Sequence, residues 1–277
     1  MGKYSAAELH SKALRDGARL GREIFGLSME VIVEQESPWP AVAMYDRWAD
    51  RVKIFANRVA QEAAAGADSE RLVTQAVAHE FGHGREARLF AESGVCPWYL
   101  CVDANCKLET EQGFYLGKDF HREFAQLTSR IQDFPIDRKL SEYGVRDQTA
   151  KARITRIEQL LQREPSDPVG RMQLRLQTLF YLPSDLRHHA FGDISDEDKI
   201  RIRQFTTSVL GERTWEQAAR LISSREFGDI VTYERITTAY FRDFLNIEAK
   251  FESVARERLG ELPVFWTSPT YRALHIY

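Results

Sequence analysis

The chain has 277 residues, of which 43% are hydrophobic and 29% charged, a composition typical of a globular protein with a substantial core. Its 38 basic and 41 acidic side chains give a net charge of −3, so it lacks the basic excess that attracts nucleic acids and anionic membranes. No segment resembles a signal peptide or a membrane span. We therefore expect a soluble cytoplasmic protein, with neither a membrane nor a nucleic acid as its main partner.

The first half of the chain predicts a helix, a few strands and a second helix. Apolar residues recur at helical spacing over residues 5–25. A β-branched run at 29–33 predicts a strand, and residues 41–48 and 51–59 suit two extended segments joined as a hairpin. A further helix is expected to begin at Asp68 or Ser69, either of which can cap it.

The second half is predicted to be mainly helical. Residues 93–117 suit a loop that holds Cys96, Cys101 and Cys106. Their odd number and C-x4-C-x4-C spacing match neither a disulfide framework nor paired zinc knuckles, so we expect reduced thiols, with a second metal site or a local disulfide as alternatives. The predicted helices that follow are 118–143, 149–163, 169–182, 196–210, 215–225 and 233–259, separated by Pro- and Gly-containing runs.

The most specific feature is the run His79-Glu80-Phe81-Gly82-His83, which has the pattern H-E-x-x-H inside the second predicted helix. Four residues make about one helical turn, so both imidazoles leave the same face and can bind one metal ion. Glu80 lies where its carboxylate can reach a water on the metal rather than the metal. Gly82 is small enough to let the helix pack closely against a neighbour. The pattern predicts a zinc site.

This motif resembles that of the zincin metallopeptidases, and the order helix, strands, motif helix is similar to the N-terminal half of a zincin domain. The resemblance implies an α+β fold with a zincin-like catalytic domain over residues 1–145. A helical subdomain over 146–277 is then expected to form the other wall of the cleft. The resemblance also implies Zn²⁺ as cofactor, a peptide or protein substrate and an edge strand that pairs with it, for which residues 51–59 are the candidate.

The third metal ligand determines the subclass. A metzincin has a third histidine where this chain has Leu89, which excludes that subclass. The gluzincin pattern takes an acidic ligand from a later helix in E-x-x-x-D, and residues 133–137 offer a D-x-x-x-D. By this resemblance, to a compact minigluzincin-like core, Asp133 is the third ligand and Asp137 hydrogen-bonds the first histidine.

Pro135 leaves the assignment of the third ligand open. Proline cannot donate to the carbonyl of Ile131 and disfavours helical angles in the preceding residue, so a helix is expected to begin or kink there. If the helix begins at Pro135, Asp137 is the alternative ligand. The remaining candidates are Glu123, His121 and Glu142.

The resemblance predicts a zinc metallopeptidase in which Glu80 accepts a proton from water and passes it to the leaving amine. Candidates for the donor to the tetrahedral intermediate are His188, His189, Tyr115 and Tyr143. The aromatic tail, residues 262–277, is expected to close the surface or, alternatively, to block the cleft.

Two other classes compete with a peptidase. The first is a non-catalytic binding or regulatory protein with a zincin fold, which would have no use for the carboxylate of Glu80. The second is a Spartan-like protease acting on DNA-bound proteins, which the near-neutral charge disfavours.

Overall fold

A computed structural model describes residues 6–37, 41–46, 49–93, 108–109, 115–116, 118–162, 167–240 and 243–244. These residues form an α+β protein with a small mixed sheet in the first half and helices in the second, which confirms the predicted class. The three cysteines and the tail 262–277 lie outside the described residues. None of the described helices is long and apolar enough to cross a bilayer.

The first half follows the predicted order of helix, strands and motif helix, except that a short helix that was not predicted lies between the strands and the motif helix. Its elements are α1 (Ala6–Phe25), β1 (Glu30–Glu34), β2 (Ala43–Asp46), β3 (Arg51–Phe55), α2 (Ala56–Ala64) and α3 (Ser69–Ser93). β1 pairs with β3 in parallel, and β2 pairs with β3 in the antiparallel direction of the predicted hairpin. Asp68 caps α3, since its Oδ1 accepts a hydrogen bond from the Arg71 amide at 3.1 Å.

The prediction that residues 51–59 form the edge strand is wrong. β3 is the central strand, and the chain turns into α2 at Ala56. Lys53 gave the segment the alternation of an edge strand, but its Nζ lies 3.1 Å from carboxylate oxygens of both Glu34 and Asp46, on the two neighbouring strands. The lysine is therefore tolerated in the middle of the sheet, and β2 is an edge.

Two glycines of α1 allow it to pack directly on α3. A Cβ built at Gly17 would lie 2.7 Å from the Cβ of Val77, and one at Gly21 would collide with the Phe81 ring. Ordinary carbon contacts are about 3.5–4.0 Å, so larger residues would push the helices apart. Phe81, inside the H-E-x-x-H run, is thereby fixed in the core.

The second half is a set of packed helices that shares a core with α3. Its elements, with two short strands before them, are β4 (Leu108–Glu109), β5 (Tyr115–Leu116), α4 (Lys118–Glu142), α5 (Ala150–Leu161), α6 (Pro168–Phe191), α7 (Asp196–Leu210), α8 (Glu212–Ser223) and α9 (Ile230–Tyr240). Phe90 of α3 packs with Ile131 of α4, Leu179 of α6 and Tyr233 of α9.

Two of these helices run through a proline. α4 continues past Pro135, which contradicts the alternative in which a helix begins there, and α6 continues past Pro183, where a helix was expected to end. Each proline leaves a carbonyl without its helical donor. The Ile131 carbonyl accepts a hydrogen bond from Arg225 at 3.4 Å, and the Leu179 carbonyl accepts one from the Tyr240 hydroxyl.

Candidate metal centre

Helices α3 and α4 bring the predicted site residues together. The ligand atoms of His79, Glu80 and His83 all lie within 4.8 Å of one another. Oδ1 of Asp133, on α4, lies 3.4 Å from Nε2 of His79 and 3.0 Å from Nε2 of His83. Two imidazole nitrogens and one carboxylate oxygen therefore converge on one point.

Asp137 lies one turn after Asp133 and contacts the other side of the first histidine. Its Oδ1 is 2.7 Å from Nδ1 of His79, and both groups are buried. Nδ1–H therefore donates to Asp137, which leaves Nε2 directed at Asp133. This is the tautomer that a histidine needs in order to bind a metal through Nε2.

The close approach of the two helices depends on Gly82. A Cβ at this position would lie 2.6 Å from Cγ2 of Ile136 and 3.1 Å from Cζ of Phe25. Ile136 lies between the two aspartates, so the contact sets how near α4 comes to the histidines. Aspartate is one methylene shorter than the glutamate of the gluzincin pattern, and this spacing lets Asp133 reach them.

A buried arginine, which the sequence reasoning did not identify, joins the carboxylates. Nη1 of Arg187 lies 2.8 Å from Oδ2 of Asp133, its Nε 3.2 Å from Oδ2 of Asp137, and its Nη2 3.3 Å from Oδ2 of Asp147. Its only signal in the sequence is that it directly precedes His188 and His189, two of the predicted donor candidates.

Asp147 forms an ion pair with this arginine and is itself positioned by contacts with Thr149 and His188. Its Oδ1 accepts hydrogen bonds from the amide and hydroxyl of Thr149 at 2.9 and 2.7 Å, and its Oδ2 lies 2.5 Å from Nδ1 of His188. Burial alone would raise the pKa of Asp147, but the charges of Arg187 and His188 outweigh it and hold the pKa well below its usual range. Asp147 is thus an ionised, fully buried anchor.

The site favours positive charge between the histidines and the aspartates. Burial alone would lower the pKa of His79, yet Asp137 and Asp133 together raise it well above its usual value. Burial would raise the pKa of Asp133, but Arg187 and the two histidines hold it well below its usual range. The three buried carboxylates therefore face the Arg187 guanidinium and a His79 ring on which positive charge is favoured, and a bound cation is one way to supply positive charge at this point.

This arrangement fits a tetrahedral metal ion. Ligand atoms about 2.0–2.1 Å from one tetrahedral ion are separated by about 3.3–3.4 Å, close to the distances from Asp133 to the two histidines. Two neutral imidazoles and a carboxylate form a donor set used for catalytic zinc, and it leaves one position for water.

Glu80 faces a cavity of about 550 Å³ that adjoins the histidines. Its Oε2 accepts a hydrogen bond from the Tyr45 amide of β2 at 2.6 Å, which holds the carboxylate beside the edge strand. Arg153 of α5 and Tyr181 and Arg187 of α6 also line the cavity. Residues from both halves of the chain therefore surround it.

The other predicted candidates lie in several places. Glu142 is exposed at the end of α4, and the side chains of His121, Glu123 and Tyr115 lie outside the described residues. The four candidate donors to a reaction intermediate thus reduce to three with described side chains. His188 lines the cavity, His189 packs its ring against Trp215 at 6.1 Å, and Tyr143 is 56% exposed.

Comparison of the chain with protein-family models, curated proteins and solved structures finds no match.

Proposed function

We propose that this protein is a zinc-dependent metallopeptidase of the gluzincin type. The observation that carries the proposal is the convergence of His79, His83 and Asp133 beside Glu80 at the wall of an open cavity. A site that only bound metal would not need a carboxylate held next to the ligands and directed into the cavity.

Each site residue has a distinct role in this proposal. His79 and His83 bind zinc through Nε2, and Asp133 is the third ligand through Oδ1. Asp137 fixes the ring of His79 through its Nδ1–H, which also makes the imidazole a better ligand. Since α4 continues through Pro135, Asp133 and Asp137 stand one helical turn apart, as the predicted roles require.

Glu80 acts as the general base and then as the general acid. A bound zinc ion supplies Lewis acidity, which brings the pKa of a water molecule near neutrality and polarises a carbonyl. The Glu80 carboxylate would accept a proton from water as the water oxygen adds to the peptide carbonyl carbon, and would deliver that proton to the amine nitrogen as the C–N bond breaks. The Tyr45 amide holds Oε2, so Oε1 is the oxygen that exchanges the proton.

The edge strand β2 supplies a binding surface for an extended peptide. The Val42 carbonyl accepts a hydrogen bond from the Phe55 amide at 2.9 Å, so Val42, Met44 and Asp46 direct their backbone groups towards β3. Ala43 and Tyr45 then face away from the sheet, on the side where Glu80 contacts β2. A peptide that adds a strand here lies along Glu80.

The two halves of the chain are proposed to form the two sides of the catalytic cleft. Residues 1–145 form the catalytic domain, and residues 146–277, which are mainly helical where the structure describes them, form the opposite wall of the cleft. Arg153, Tyr181 and Arg187 line the cavity from α5 and α6, which supports this division of roles.

Zinc analysis and peptide hydrolysis in three proteins test the proposal. Wild type is expected to bind one zinc ion and to hydrolyse peptides from an unbiased mixture. Glu80→Gln is expected to keep the zinc and to lose activity by about 10²–10⁴-fold, since it removes general acid–base catalysis. Glu142→Gln, which changes an exposed glutamate at the end of α4, is the matched control and is expected to keep both.

The results separate the proposal from its main rival. Wild type without bound zinc contradicts the metal site, and undiminished hydrolysis in Glu80→Gln contradicts the mechanism. Zinc binding without hydrolysis of any peptide in the mixture supports a non-catalytic zincin-fold protein instead.

A further inference from the structure

We infer that Arg187 is a positioning residue that restricts Asp133 to metal binding through one oxygen. This inference rests on the proposed zinc site and assigns a role within it to a residue of the helical second half. It explains why a buried arginine lies against three aspartates at this point.

The two oxygens of Asp133 have different partners. Oδ1 faces both histidines at 3.0 and 3.4 Å, whereas Oδ2 lies 2.8 Å from Nη1 of Arg187. A hydrogen bond from a guanidinium to a carboxylate is charge-assisted and therefore strong. With Oδ2 held in this way, only Oδ1 remains for a metal ion.

The guanidinium can hold this geometry because it lies within ion-pair distance of three carboxylates. Its nitrogens contact Asp133, Asp137 and Asp147, and only 12% of the side chain is exposed. Asp147 is in turn held by Thr149 and His188. A planar fork with fixed contacts orients a carboxylate in a way that the single point charge of a lysine cannot reproduce.

Binding through one oxygen matters for the coordination number. A carboxylate with both oxygens available can bind larger cations such as Ca²⁺ in bidentate fashion. A tetrahedral zinc site needs one oxygen from its carboxylate ligand and a position left open for water. By holding Oδ2, Arg187 keeps that position open and also offsets part of the negative charge of the cluster.

The first test measures zinc affinity by competition with a chromophoric chelator, using the full chain. Arg187→Lys keeps the charge but loses the fork, and its zinc Kd is expected to rise about 10–100-fold, as for other residues that orient metal ligands. Arg153→Lys is the matched control. Arg153 is also buried and lines the same cavity, but its guanidinium pairs with Asp185 and touches no site carboxylate.

The zinc Kd of Arg153→Lys is expected to stay within about twofold of wild type, because its contacts are separate from those of the site. A folded Arg187→Lys protein with the wild-type Kd overturns the inference and leaves the zinc site standing. An equal loss in both variants also overturns it, because the loss then reflects general damage. A wild type that binds no zinc overturns both proposals.

The second test does not depend on the folding of any variant. X-ray absorption spectroscopy of zinc bound to the wild type reports the coordination number and the binding mode of the carboxylate. Four nitrogen or oxygen ligands at about 2.0–2.2 Å, with the carboxylate bound through one oxygen, are expected. Bidentate binding by Asp133 overturns the inference whatever the variants show.

Discussion

Replacing Gly82 with alanine tests whether the spacing of α3 and α4 determines metal binding. The added methyl would lie 2.6 Å from Cγ2 of Ile136, whereas carbon atoms in ordinary contact are about 3.5–4.0 Å apart. The two helices must therefore separate by about 1 Å at this point. Ile136 lies between Asp133 and Asp137, so the separation carries both away from the histidines.

The change in the free energy of unfolding caused by Gly82→Ala is the sum of two opposing effects. Alanine in place of glycine within a helix stabilises it by about 1 kcal/mol. Overpacking a filled core costs about 1–3 kcal/mol, so the free energy of unfolding is expected to fall by about 0–2 kcal/mol. The higher helix propensity of alanine does not improve zinc binding. The zinc Kd is therefore expected to rise about tenfold or more, because Asp133 and Asp137 are both displaced.

Urea unfolding and zinc titration measure these two quantities. Gly84→Ala is the matched control on the same helix, because its methyl would lie 2.8 Å from the flexible end of Met29, which can move aside, and 3.3 Å from Cε2 of Tyr45, which is not a zinc ligand in the proposal. Ile136→Leu removes the Cγ2 that Gly82→Ala would strike, so the double variant is expected to recover zinc affinity. A Gly82→Ala protein that is more stable than wild type by about 1 kcal/mol and binds zinc normally would refute the reasoning.

Three further predictions concern the surroundings of the site. Asp137→Asn is expected to raise the zinc Kd about 10–100-fold in a chelator competition, because it weakens the hold on His79. In metal-free protein, the raised pKa of His79 stabilises the fold fully below about pH 6.5, and this contribution is lost as the pH rises through the folded pKa. Zinc needs the neutral ring, so thermal melts should show zinc stabilisation growing over the same rise in pH. Arg225→Met is expected to cost about 3–5 kcal/mol in urea unfolding, because it leaves the Glu86 carboxylate buried without its partner, and adding Glu86→Gln should recover part of that loss.

The sequence predicted the parts of the molecule that depend on local patterns. Apolar periodicity located α1 and α3, and the β-branched run at 29–33 located β1 to within one residue at each end. The four-residue spacing placed His79 and His83 on one face of α3, and the small residue at Gly82 indicated a close helix neighbour. The structure also brings Asp133 and Asp137 to the first histidine, although their roles as ligand and orienting residue stay predictions.

The predictions from the sequence were wrong or incomplete where a polar group is paired with a residue that lies far away along the chain. Lys53 resembled an edge-strand residue because its two carboxylate partners lie on other strands. Pro183 resembled a helix end because the hydroxyl that satisfies the Leu179 carbonyl belongs to Tyr240, 61 residues away along the chain. Arg187 lacks any recognisable motif, since its three partners come from α4 and the segment before α5. Local sequence patterns span only a few residues and therefore do not show these long-range pairings.

Arg225 shows how one such distant residue connects the core to the candidate site. Its Nη2 lies 2.5 Å from Oε1 of Glu86, three residues after His83 on α3, and its Nη1 donates to the Ile131 carbonyl, two residues before Asp133 on α4. The same guanidinium thus joins both helices of the candidate site and satisfies the carbonyl that Pro135 leaves without a donor. Gly82 lets α3 and α4 lie close together on one side, and Arg225 bridges them within the core. The distance from Asp133 to the histidines is therefore set by packing on both sides, and the candidate site depends on the helical second half as well as on the motif.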